Sequence, residues 1–299
     1  MIFFVFKFLI WDYIIKRIIS VIVLQKEVVN IKYIFWNIKG KNLFEPIVRL
    51  ILENNIDIIA LTETDLLDVH CLINELRLNN QDWKLVEICP VSDIKLLAKR
   101  DIRILVHEES KRFSTYKLYN ENDLYLLNVL HLDSAMYKDE YARSQKATNI
   151  SQILRKTEES MFKNEEYKTI TIGDFNLQPY SQGVIGYYGF NATMSKSKAK
   201  NISRKVDDEQ KYFYFNPMWK LMGDNRLVQG TYYNNSDQQD RSMFWYTFDQ
   251  LLIRPFLIDK FNWDFFDIIE GTRNYSFIRN GIINKTQYSD HLPLKFEIL

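Results

Sequence analysis

Residues 56–61 read Ile-Asp-Ile-Ile-Ala-Leu, an apolar run broken by a single polar residue. A strand of this character is buried on both faces, so it belongs inside a layered sheet rather than at its edge. Helical patterns flank it. Asn42 is positioned to cap a helix running to about Asn54, with Leu43, Ile47, Leu50 and Ile51 on one face, and a second helix is expected over 69–78. Residues 31–36 form the preceding strand. Further strands are expected at 83–88, 102–106, 113–118 and 124–130, the last three spaced as an antiparallel meander. A long helix over 140–162 then leads to a β-branched run, 169–172, that closes on Gly173. Strand-like runs return at 230–233, 244–253 and 292–298. The alternation predicts an α/β fold. With no internal repeat or linker, it forms one domain, 28–299, with a polar insertion at about 191–225.

The first residues stand apart from this pattern. Residues 1–24 are rich in Phe, Ile, Leu and Val but carry Lys7, Asp12, Lys16 and Arg17. Those charges interrupt every window of about 20 residues, the length a spanning helix needs. A basic extreme N-terminus and a small-residue cleavage site are both missing, so a secretory signal is a poor match. The stretch 1–27 reads either as a peripheral membrane anchor or as an upstream extension from a misplaced start near residue 28, and the second reading is favoured. Cys71 and Cys89 have neither metal-site nor disulfide-framework spacing, which fits a reducing, cytoplasmic setting, with membrane association as the alternative. The net charge of +1 gives no global field for nucleic acid, so any basic surface must be local.

Polar residues fall where the apolar runs stop. Asn37 follows the first strand, Glu63 the second, His131 the last strand of the meander, and Asp174 with Asn176 the run after the long helix. Asp249 lies within 244–253, and Asp290-His291 immediately precede the last strand. Strand ends converge on one sheet edge, so residues more than 250 positions apart can line one pocket. The residue types suit cleavage of a phosphate ester. Mg²⁺ favours oxygen ligands and commonly uses one or two carboxylates, for which Glu63 and then Asp290 are the candidates. Asp174 can accept the proton of an attacking water, and Asn176 can hydrogen-bond water or phosphate without adding charge. His131 and His291 can donate to phosphoryl oxygens, and Asp249 can fix the tautomer of one of them. No activated serine or cysteine motif is evident.

Taken in order, Phe35-Trp36-Asn37-Ile38, the run 58–64, Leu130-His131-Leu132, Gly173-Asp174-Phe175-Asn176, Phe248-Asp249-Gln250 and Ser289-Asp290-His291 resemble the motif series of the endonuclease/exonuclease/phosphatase superfamily. Arg143, with Gln145-Lys146, resembles that family's arginine-containing segment in a looser form. The resemblance implies a four-layer α/β/β/α sandwich, deoxyribonuclease I-like, with two mixed sheets face to face between helices. It also implies hydrolysis dependent on Mg²⁺ or Mn²⁺, with Asn37, Glu63, Asp174, Asn176, Asp249, Asp290 and His291 carrying the metal and phosphate chemistry. Asn37 joins Glu63 and Asp290 as a metal residue on this ground. Histidine at 131 resembles the deoxyribonuclease I, sphingomyelinase and deadenylase branches, whereas abasic-site endonucleases usually have tyrosine.

Taken singly, each of these residues is an ordinary turn former, and it is their order on successive strand ends that separates them from chance. His70 and His107 match no motif and are read as surface or packing residues. The aromatic run Tyr212, Phe213, Tyr214 and Phe215, with Trp219 beyond, reads first as core, though Tyr214 can also stack a base. Lys196, Lys198, Lys200, Arg204 and Lys205 read as a solvated loop that beside a phosphate site can track a nucleic-acid backbone. These features favour a nuclease acting on DNA more than RNA. The alternatives are a lipid or small-metabolite phosphoesterase and, against the intact constellation, a non-catalytic binding module. No protein partner is evident.

Overall fold

Strand β1 (Ile31–Asn37) carries large apolar side chains on both faces and pairs in parallel with β2 (Ile58–Thr62), whose five residues are all buried. A parallel pair needs a crossover, here helix α1 (Phe44–Asn54), which buries Ile47, Val48, Leu50 and Ile51. The computed structural model describes residues 30–298 apart from 88–91, 121–122, 135–137, 164–165, 224–225 and 235–241. The stretch 1–27, Cys89 and the expected end of a strand at Ile88 lie outside the described residues. Residues 31–298 form one compact unit. Among the described residues no helix is long and apolar enough to cross a membrane.

Strands are numbered in chain order. The first sheet runs β16 (Asp267–Ile268), β19 (Leu294–Ile298), β1, β2, β4 (Lys95–Lys99), β3 (Trp83–Leu85). The second runs β5 (Arg103–Glu109), β6 (Phe113–Asn120), β7 (Asp123–His131), β8 (Thr169–Asp174), β15 (Asp249–Ile253), β12 (Tyr214–Phe215), β9 (Ala192–Thr193). Strands β5, β6 and β7 form the expected antiparallel meander, while β7 and β8 are parallel, with helix α3 (Glu140–Phe162) as crossover. Both sheets are mixed, and helices flank them: this is the deoxyribonuclease I-like four-layer architecture.

Alternation along β7 shows how the layers arise. Tyr125, Leu127 and Val129 join the large core shared with β1 and β2, whereas Leu130 joins the core under α3 with Ala147, Ile150 and Leu154. Gly173 is needed where β8 passes β7, because a Cβ there would lie 2.2 Å from the Leu130 carbonyl oxygen.

Two local features differ from expectation. The N-cap of α1 is Leu43 with no side-chain bond, since Asn42 Oδ1 instead accepts from the Asp68 N–H at 3.2 Å. Asp68 in turn caps helix α2 (Val69–Leu78), its carboxylate accepting from the Cys71 N–H. The polar stretch from 191 is not a plain loop. It holds β9, the short helix α5 (Lys196–Ala199), and a hairpin of β10 (Ser203–Val206) and β11 (Glu209–Tyr212) before β12 joins the second sheet. Asp207 and Asp208, at φ 48 and 66°, supply the two left-handed residues such a tight turn needs.

Candidate active site

Register delivers three functional side chains to one end of the second sheet. His131, the last residue of β7, pairs with Asp174, the last of β8, and Asp174 pairs with Asp249, the first of antiparallel β15. In the first sheet Asn37 ends β1 beside Thr62, and Glu63 follows at once. Fully buried Asn37 joins the two sheets: its Nδ2 donates to Glu63 Oε1 at 2.9 Å and to Asp174 Oδ2 at 3.1 Å. Its Oδ1 accepts from the Lys39 N–H at 3.0 Å. Asn37 thus donates to both carboxylates and ties the two sheets together at the site.

Two carboxylate–histidine groups meet at Asp174. In one, potential ligand atoms of Glu63, His131 and Asp174 lie within 4.8 Å of one another, and in the other those of Asp174, Asp249 and His291 do. Groups of this kind can hold a metal ion. Burial would raise the Glu63 carboxyl, but hydrogen bonds from His131 and Asn37 and the charge of Lys39 hold it down to about 2. Glu63 is therefore ionised. Its backbone is left-handed (φ 50°), as is that of Asn176 (φ 49°), conformations that cost a non-glycine residue about 1 kcal/mol. Asp174 is 1% exposed; its Oδ1 accepts from the Asn176 N–H at 2.8 Å, while Asn176 Nδ2 donates to the Leu132 carbonyl at 3.1 Å.

The second group is locked. His291 Nδ1 lies 2.8 Å from Asp249 Oδ2, and its Nε2 lies 3.8 Å from Asp174 Oδ2. Burial alone would lower the His291 imidazole, but the carboxylates of Asp249, Asp174 and Asp290 raise it to about 10. Asp249 is itself pushed up by burial, against the pull of His291. The loop is anchored from the core: Trp36 Nε1 donates to the His291 carbonyl at 2.9 Å, and Ser289 Oγ donates to the Asn37 carbonyl while accepting from the His291 N–H. Asp290 sits nearby with Oδ1 buried and without a hydrogen-bond partner among the described residues.

No protein-family model and no curated protein matches the chain. Solved structures do. TDP2 from C. elegans aligns over 95% of this chain and 80% of its own, at 16% identity and TM-score 0.53. A truncated C. elegans TDP2 covers 90% of this chain and 97% of its own, at 16% identity and TM-score 0.51. D. rerio TDP2, crystallised with a single-strand DNA product, covers 90% and 99%, at 13% identity and TM-score 0.51. The chain has the endonuclease/exonuclease/phosphatase fold.

Within this endonuclease/exonuclease/phosphatase fold, members of both groups line a cavity of about 570 Å³, with Asp249 buried behind it. Glu63, His131, Asp174, Asn176, His291 and Arg143 all line it. Arg143, on the first turn of α3, donates through Nη1 to the Asn176 carbonyl. The other expected substrate contacts fall elsewhere. Tyr214 is 3% exposed in the core, its ring 3.6 Å from the Arg254 guanidinium and its hydroxyl 3.3 Å from Glu158 Oε1, so no base can stack on it. Lys196 lies over the Trp263 ring and Lys200 pairs with Asp259, and neither they nor Lys198 line the cavity.

Aromatic residues not foreseen in the sequence form its wall. Tyr232 and Tyr246 face each other across the antiparallel pair of β13 (Tyr232–Tyr233) and β14 (Trp245–Tyr246), and Phe248 packs 5.3 Å from Tyr232 and 5.0 Å from Tyr246. Tyr232 also lies 5.0 Å from the His291 ring. The signal available was the aromatic density of 244–248 just ahead of Asp249, but which face it would present depends on pairing with residue 232.

Proposed function

We propose that the chain is a metal-dependent phosphodiesterase whose substrate is nucleic acid, DNA in preference to RNA. The observation that carries this reading is the meeting of two carboxylate–histidine groups at Asp174 on the floor of an aromatic-walled cavity. Fold supports the same class, a hydrolase of phosphate esters. Glu63 and Asp290 are the oxygen donors for Mg²⁺ or Mn²⁺. The buried, unpartnered Asp290 Oδ1 and the ionised Glu63 fit an ion that takes oxygen ligands. When bound, the ion neutralises charge on the phosphoryl oxygens.

The remaining work falls to the chain's own groups. Asp174, with both oxygens held by Asn37 and Asn176, receives the proton of the attacking water. His291, charged and aligned by Asp249, donates to a phosphoryl oxygen, where negative charge grows in the transition state. His131 donates from the other side, and Asn176 orients water or phosphate. Tyr232, Tyr246 and Phe248 offer a face on which an unpaired base stacks, which favours nucleic acid over a lipid headgroup. The single-strand DNA product held by D. rerio TDP2 supports the same choice.

The test is cleavage of matched single-stranded DNA, duplex DNA, RNA and sphingomyelin, with Mg²⁺ or EDTA. Metal-dependent cleavage of DNA, fastest on the single strand, is expected. Turnover of sphingomyelin with silence on every nucleic acid would replace this reading by a lipid phosphodiesterase.

A further inference from the structure

Two residues beyond Asn37, a lysine occupies ground the hydrolytic scheme gives to a metal. Lys39 Nζ lies 3.6 Å from Asp290 Oδ2 and 3.8 Å from Glu63 Oε2, against both carboxylates assigned above as metal donors. Its backbone is fixed. Lys39 is left-handed at φ 54°, its N–H is bonded to Asn37 Oδ1, and the following Gly40 N–H is bonded to the Glu63 carbonyl at 2.7 Å. Its side chain is 46% exposed and lines the cavity, so the ammonium has solvent beside it and a four-carbon stem on which to move.

We propose that Lys39 is the resident counter-ion of the site, a tethered ammonium that a divalent cation must displace in order to bind between Glu63 and Asp290. The proposal rests on the assignment of those two carboxylates as metal donors. The ammonium screens their mutual repulsion in the metal-free protein. An ion pair this open to solvent is weak, so a doubly charged ion can dislodge it. A divalent ion and an ammonium repel each other, and the site does not hold both against the same oxygens. The displaced ammonium stays on the cavity wall, where a substrate phosphate would meet it.

Calorimetric titration of the full chain with Mn²⁺, without substrate, tests this in the unmodified protein, Lys39→Met and Glu63→Gln. Lys39→Met should tighten Mn²⁺ binding by about two- to fivefold, the range a weak competing ion pair forfeits. Unchanged or weaker binding in Lys39→Met, with Glu63→Gln still weakening it, overturns the proposal and leaves the metal assignment standing. Binding that Glu63→Gln does not weaken overturns both. A second measurement needs no Lys39 variant: acetic anhydride labelling of the unmodified chain, read by mass spectrometry. Labelling of Lys39 should rise severalfold with saturating Mg²⁺, and equal labelling with and without the ion contradicts displacement.

Discussion

The two halves of the site use the same residue types to opposite effect. His291 and Asp249 are 5% and 0% exposed, joined at 2.8 Å and tied to the core through Trp36. On the other side Glu63 keeps a side chain 28% exposed, His131 Nε2 stands 3.5 Å from it, and His131 Nδ1 has no partner among the described residues. The difference follows from position. His291 precedes β19 between the two sheets, whereas Glu63 leaves β2 on a left-handed turn at the cavity's edge. A closed pair keeps one proton and one orientation, as a fixed donor requires. An open pair can exchange its partners for an ion and a substrate.

If that contrast is right, perturbing the closed half should cost the most turnover. His291→Ala should lower kcat by about 100- to 1,000-fold, the range for losing one fixed transition-state donor, with Mn²⁺ affinity little changed. A parallel loss of Mn²⁺ binding, measured by calorimetry, would erase the division of labour. In the open half, Glu63→Gln should raise the Mg²⁺ concentration for half-maximal activity by about 10- to 100-fold, read from a metal titration at saturating substrate. His131→Ala should lower kcat by only about tenfold, since a loosely held donor contributes less; an effect matching that of His291→Ala would make the halves equivalent.

A pH series sharpens the comparison without substrate. The folded His291 imidazole is raised from 6.5 to about 10, so its charge contributes stability that is full below pH 6.5 and lost as pH rises through about 10. The Tm advantage of the metal-free protein over His291→Gln should therefore be a few degrees at pH 6.5 and should close toward pH 10. A gap that widens as pH rises would contradict a charged imidazole. The smallest effect is expected far from both halves: Lys196→Ala, Lys198→Ala and Lys200→Ala combined should change kcat/KM by less than about twofold at 0.15 M salt, because the two with assigned contacts face Trp263 and Asp259. A steep loss, relieved at high salt, would return the basic segment to the substrate path.

What the sequence disclosed follows a physical pattern. A strand end couples a readable apolar run to the polar residue that terminates it, and sheet register does the rest, which is why Asn37, Glu63, His131 and Asp174 emerge together, whereas Asp249, expected within 244–253, opens β15. Features decided by distant pairing stay hidden. Lys95–Lys99 has a lysine at each end and three buried residues between, and becomes a strand because β2 and β3 flank it. Tyr214 is taken into the core by Arg254, whose Nε donates to the fully buried Glu158 at 2.8 Å from 96 residues away. Lys39 gains its meaning only when β19 brings Asp290 alongside β1.

Asp174 belongs to both halves, so the most direct measurement is turnover of single-stranded DNA by Asp174→Ala, with Mn²⁺ binding and thermal melting read on the same sample. A fall of about 1,000-fold or more, with the fold intact and the ion still bound, is the predicted result. Cleavage within a few-fold of the unmodified chain would place the chemistry elsewhere and contradict the account at its centre.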